Sequence, residues 1–236
     1  MLFCAVAVAP ASAWTPAKNL TAFTCVKGGG ALDFGDSHCD KPVTAGTGGW
    51  GHVAIPVGKT TEAETINTTP GLLKATVLGS PIEIECSEAH GTGTFQNEEP
   101  EPKVHTGSAV GSSKLSGCKF LKPLGCKITG GTISLATTVA VPVEAGEKMG
   151  GEIKPQSVEN FTTVSVTECA IQGKYVVKGS FVAVGGAGAT AKGTGSTAVY
   201  LPENESLTFG SNPATFTITT TVQTVGGIPL SGTTVT

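Results

Sequence analysis

A few short stretches of the chain carry residue types that could do chemistry. Phe34-Gly35-Asp36-Ser37 sets a serine beside a carboxylate in a glycine-bearing turn, a block able to present an acyl-transfer nucleophile. Such a serine needs a base to take its proton and a carboxylate to orient that base. No Asp-x-x-His block follows, and the last histidine is His105, so the stretch reads as an Asp-Ser turn. Asp33, Asp36, His38 and Asp40 crowd the same turn and could offer a hard cation several oxygens. Their spacing is not that of an EF-hand loop, and a solvated turn with an exposed histidine is the default. Ser116-Gly117-Cys118-Lys119 fits S-x-x-K, but that motif works at the start of a helix and these flanks are strand-like. Gly186-Ala187-Gly188 followed by Ala191 imitates a dinucleotide fingerprint, without the helix whose N-terminus would hold the phosphates. No enzymatic activity, metal or cofactor is expected from these stretches.

The cysteines carry a stronger message. Cys4 lies in an apolar leader, which leaves Cys25, Cys39, Cys86, Cys118, Cys126 and Cys169. An even set without Cys-x-x-Cys or Cys/His ligand spacing reads as disulfides rather than zinc, and implies an oxidising compartment. Sequence alone permits 15 pairings. The glycine-rich turn in CVKGGGALDFGDSHCD would let Cys25 reach Cys39, and the short loop around Lys122-Pro123 suggests a local Cys118–Cys126 bridge. Cys86 and Cys169 then remain as a long-range pair.

The elements that must carry these cysteines are strands. Thr, Val and Gly dominate, and no window of helical period is long enough for a helix beyond the leader. Ile82, Ile84 and Cys86 alternate with Glu83 and Glu85, the pattern of a half-buried strand. About a dozen such segments separated by turns predict an all-β protein, a disulfide-stapled β-sandwich or barrel-like set of antiparallel sheets. The expected organisation is a leader at 1–13, a small N-terminal Cys-bridged β unit at 14–66 and a main β domain at 67–236. The polar stretch 59–71 is the linker candidate. FTTVSVTEC and KYVVKGSFVAV read as a hairpin, and the acidic run 97–103 as a solvated loop.

MLFCAVAVAPASA is an apolar run ending in an A-x-A signal-peptidase site, which places Trp14 first in the mature chain, although the usual basic residues before the run are absent. No later run is long enough for a membrane helix. All 15 basic residues are Lys, and the formal net charge is −3. Without Arg or a basic cluster, neither nucleic acid nor an anionic membrane surface is an expected partner. The expected location is secreted, extracellular, with association to the cell surface.

The segments TCVKGGGALDFGDSHCD with GGWGH, IEIECSEAHGTGTF, SGCKFLKPLGCKITGGTISL and VTECAIQGKYVVKGSF resemble a family of uncharacterised exported Cys/Gly/Thr-rich β proteins of actinobacteria. The resemblance implies an exported β-rich protein and brings no activity or functional residues. The leading expectation is a structural or binding protein at or outside the cell surface. A carbohydrate- or cell-wall-binding module is the alternative, resting on Trp14, Trp50, Tyr175 and Tyr200 as platforms. A self-assembling surface subunit is the second, resting on ATFTITTTV as an edge-like strand, whose Thr215, Thr217, Thr219 and Thr221 could also form a regular contact face.

Overall fold

The computed structural model describes residues 14–16, 20–37, 39, 41–98, 106–145, 148–185, 197–200, 206–228 and 230–234. The strands are β1 (Thr15–Pro16), β2 (Leu20–Lys27), β3 (Trp50–Ala54), β4 (Thr60–Asn67), β5 (Gly71–Val77) and β6 (Ser80–Glu98). They continue with β7 (Thr106–Lys122), β8 (Lys127–Ile128), β9 (Ile133–Ser134), β10 (Thr138–Ala145), β11 (Lys148–Pro155) and β12 (Asn160–Thr167). The last are β13 (Gly173–Lys178), β14 (Phe181–Gly185), β15 (Thr197–Tyr200), β16 (Thr208–Phe209), β17 (Asn212–Thr224) and β18 (Leu230–Thr234). The protein is all-β, as its composition predicts. One large antiparallel sheet is joined by a small one, β18-β2-β3.

The large sheet closes on itself. Hydrogen-bonded neighbours run β15-β14-β11-β10-β7-β6-β4-β17, and β17 pairs back onto β15, which makes a barrel. β4 and β5 lie end to end along β17, with Thr220 opposite Asn67 and Thr217 opposite Leu72. Below the barrel, β8, β12, β13 and β16 form a second layer over β5 and the near halves of β6, β7 and β17. Ile82, Ile84 and Phe120 meet Phe161, Val164, Val166 and Phe209 there in the main core. Both expected architectures are present, a barrel at one end and a sandwich at the other.

The predicted alternation holds at Ile82, Ile84 and Cys86, which are buried, while Glu83 and Glu85 pair outside with Lys122 and Lys119 at 3.2 and 3.1 Å. It then changes phase. Gly117 adopts φ 60°, which favours glycine, and a Cβ on it would force the Ser87 hydroxyl to move. Beyond that point Ala89, Gly91, Gly93, Phe95 and Asn97 take the inward face, opposite Leu115, Ser113 and Gly111 on β7.

Three expectations about the elements change. The linker candidate is strand β4 from Thr60 to Asn67, bonded to β6 and β17, so the N-terminal 14–66 segment ends inside the barrel. The small sheet is completed by β18 from the far end of the chain. KYVVKGSFVAV is two strands, because Gly179 (φ 110°) turns the chain out of the second layer and into the barrel wall.

The bridges also differ. Cys25–Cys39 forms as expected, but Cys86 bonds Cys118 and Cys126 bonds Cys169. The expected Cys86–Cys169 and Cys118–Cys126 pairs are therefore incorrect. Cys86 and Cys118 stand directly opposite in the β6–β7 ladder, with Cα atoms 4.0 Å apart. Cys126 lies just before β8, and β8 pairs with the end of β12 (Ile128 opposite Val166), which delivers it to Cys169. Spacing along the chain suggested a local loop; ladder register decides the partner.

Candidate functional site

The cysteine-bridged turn is built on β2 and β3. Cys25 and Cys39 are fully buried with Phe34, and Trp50 packs against them. His52 stands opposite Cys25 in the ladder, its ring 5.0 Å from Phe23 and 4.5 Å from Phe34. Asp33 accepts a hydrogen bond from the Gly46 N–H at 3.0 Å, which ties it into the turn. Of the proposed cation ligands, His38 and Asp40 lie outside the described residues, and among the described residues no group of three or more His, Cys, Asp or Glu gathers to hold a metal. No hydrogen bond joins Ser37 to a histidine among the described residues, since His52 stacks between phenylalanines and His90 faces Glu64 at 3.6 Å on the outer wall. The nucleophile block is structurally a turn. The dinucleotide-like stretch at 186–191 and the leader lie outside the described residues, and the S-x-x-K match is strand β7 with its cysteine bridged.

His52 has one physical consequence. Burial draws its imidazole below the ordinary value of 6.5, with the Asp33 charge acting in the opposite direction. The unfolded chain therefore binds a proton before the folded one does. Stability from the neutral ring is present above pH 6.5, declines as pH falls below it, and levels off once the folded ring also protonates. Urea midpoints measured from pH 8 to pH 5 are expected to fall, and His52→Phe is expected to flatten that decline. An unchanged slope in the variant would show that another group titrates.

Among the described residues, Trp14, Trp50 and Tyr175 do not assemble into a platform. Trp14 packs on Val143, Val182 and Val184 of the outer barrel wall, and Trp50 on the Cys25–Cys39 bridge. Tyr175 stacks on Phe209 at 4.6 Å and donates its hydroxyl to the Ile171 carbonyl. These are three separate clusters, and the Tyr200 side chain lies outside the described part. The threonine row of β17 is flanked by Lys74 and Leu72 on β5 and by Glu64 and Ile66 on β4, not by further threonine rows, so no regular array forms there. β17 is hydrogen-bonded to β4 and β5 on one side and, over Asn212–Pro213 and Ile218–Thr221, to β16 and β15 on the other, so it is a central strand rather than an edge.

One concave feature among the described residues lies between the two layers. Where barrel and second layer meet, a cavity of about 50 Å³ is bounded by Ile84, Leu115, Phe161, Val164, Phe181 and Phe216. Apart from Thr162 its lining is apolar, and it draws on strands 100 residues apart in sequence, so no local motif could reveal it. The main sequence signal for it was the alternation at Ile82–Cys86, which announced a core and not a void. No protein-family model, curated protein or solved structure matches the chain.

Proposed function

We propose that this chain is an exported structural or binding protein, acting at or outside the cell surface and without catalysis of its own, as its resemblance to the exported actinobacterial proteins implies. The observation that carries the reading is the set of three disulfides, one in the small sheet, one across the barrel's longest hairpin and one within the second layer, from the start of β8 to the end of β12. Such bridges persist in oxidising surroundings and are rare where thiols are kept reduced. No helix among the described residues is long and apolar enough to cross a membrane. The outer barrel wall carries Glu64, His90, Lys114 and Glu88 among its strands, which suits contact with water. The test is recovery of the native protein. It is expected in the medium or surface wash, beginning at Trp14, with all six mature cysteines blocked to alkylation until reduced. Recovery from the cytoplasm with free thiols would overturn the reading.

A further inference from the structure

Two leucines stand almost wholly in water. Leu78 is 88% exposed and Leu124 86%, the highest values of any large apolar residue described. Each lies in a turn and is followed by a glycine of positive φ, Gly79 at 78° and Gly125 at 90°. Leu78 carries a second anomaly. Val77 pairs with Ser80, so Leu78-Gly79 is a two-residue hairpin turn, and Leu78 takes φ 51° where asparagine, aspartate or glycine is the usual occupant. A single exposed apolar residue is ordinary. An exposed one held in a strained backbone suggests a use for the tip that carries it.

Both tips leave the same end of the molecule. Glu83 on β6 faces Lys122 on β7, so the β5–β6 turn and the β7–β8 turn emerge side by side. The Cys126–Cys169 bridge holds the β12–β13 turn beside them. This end also gathers charge. The sequence shows no basic cluster, but the fold brings together Lys74 of β5, Lys122 of β7, Lys127 of β8 and Lys174 of β13, with Glu83 and Glu168 as the acids among them. Lys122 and Lys127 are more exposed than the Glu83 and Glu168 they pair with, so the ammonium groups lie outermost. One row further from the tips, Lys119 and Glu85 pair and cancel. The end is positive in a chain whose net charge is −3.

We propose that this end docks on a phospholipid bilayer containing anionic lipid, with Leu78 and Leu124 inserted at the boundary of the acyl chains and the lysines against the headgroup phosphates. A bilayer is the occupant that two separate convex tips fit, because it yields to each protrusion and needs no shape-matched groove. The tips are unobstructed, since a Cβ built on Gly79 or Gly125 would meet nothing within 4 Å. Lysine suits the collar, because its stem can lie along apolar surface while its ammonium stays with the phosphates. Apolar insertion and attraction to anionic headgroups add, which is how interfacial segments bind. The proposal deepens the surface role above and rests on it. Vesicle binding is measured on the purified chain wherever a cell places it, so its failure removes the membrane contact and leaves the exported scaffold standing.

The test is co-sedimentation of the oxidised full chain with vesicles made of equal parts phosphatidylcholine and phosphatidylglycerol, beside vesicles of phosphatidylcholine alone. Binding to the mixed vesicles is expected, weaker on phosphatidylcholine and weakened by added salt. Leu78→Asn and Leu124→Asn are each expected to reduce it roughly 10-fold, the worth of one partly inserted leucine, and together to abolish it. Leu78→Asn places a preferred residue in the turn, so it is expected to melt no lower than the parent while binding less. That combination separates a membrane role from a folding one. The proposal is overturned if the parent does not bind mixed vesicles, if the double variant binds as well as the parent, or if phosphatidylcholine alone is bound equally. It is also overturned if the parent ignores vesicles but forms a dimer that the double variant loses, which would assign the tips to a second copy of the chain.

Discussion

Replacing Cys126 and Cys169 together by alanine is expected to destabilise the protein by about 4 kcal/mol on the chain-entropy treatment of a cross-linked loop. The bridge closes a sequence separation of 43, the longest of the three, against 32 for Cys86–Cys118 and 14 for Cys25–Cys39. The three loops do not overlap, so each constrains a different part of the unfolded chain. By the same treatment the other two are worth about 3 to 4 kcal/mol each. A whole domain is stable by only about 5–15 kcal/mol, so complete reduction is expected to unfold the protein. For a chain of this size a loss of about 4 kcal/mol lowers the melting temperature by roughly 8–16 °C. The Cys126–Cys169 loss should be the largest, because the bridge also anchors the two-residue strand β8 to the end of β12. Thermal melts of the three double variants test the ranking, and a peptide map tests the pairing, with Cys86 expected in one fragment with Cys118. Reduction at neutral pH will be slow without denaturant, since five of the six sulfurs belong to buried residues. A reduced chain that keeps its native melting temperature would show that the bridges are incidental to the fold.

The bridges also show what the sequence could carry and what it could not. Strand character is local, and it was legible: Ile82, Ile84 and Cys86 alternate with glutamates in the sequence and lie inside in the structure. The Cys25–Cys39 pair was legible for the same reason, because a glycine turn brings two near neighbours together. The other pairings depend on which strands lie side by side, and register between distant strands leaves no mark in a short window. Gly117 is a clear instance. Its left-handed backbone shifts the inward face by one residue, so a continuous alternation read through Ser87 would assign the rest of β6 to the wrong side. Closure of the barrel through β15 and β17 is equally long-range, and it turns a strand that looked like an edge into a central one.

The second large effect is expected at Asn97, which opens the acidic run that composition assigns to a solvated loop. It is 1% exposed. Counting by twos from Ala89 along β6 reaches it on the inward face, so burial follows from position despite the charged neighbours. Its side-chain oxygen accepts from the Ala22 N–H at 2.7 Å, and its amide nitrogen donates to the Ala22 and Ile55 carbonyls at 3.0 and 2.7 Å. Its own carbonyl accepts from Gly58 N–H at 3.1 Å. One side chain thus joins β6 of the barrel to β2 and the segment after β3, beside the contact of Ala22 and Ile55 with Ala63, Phe95 and Val222. Asn97→Ala deletes three hydrogen bonds and strands the Ala22 N–H and the Ile55 carbonyl. At about 1–3 kcal/mol per buried group left unpaired, with incomplete additivity, a loss of about 3–4 kcal/mol is expected in urea unfolding. Asn97→Asp separates hydrogen bonding from shape. The carboxylate can accept from Ala22 but faces two carbonyls it cannot donate to, so it should cost more than alanine at neutral pH. Protonation restores one donor. The folded state therefore binds that proton more tightly than the unfolded chain, and the aspartate variant should recover stability relative to Asn97→Ala as pH is lowered from 7 toward 5. Parallel pH dependences of the two variants would mean that the side chain is held by packing alone, and that the small sheet is attached by its apolar contact with the barrel.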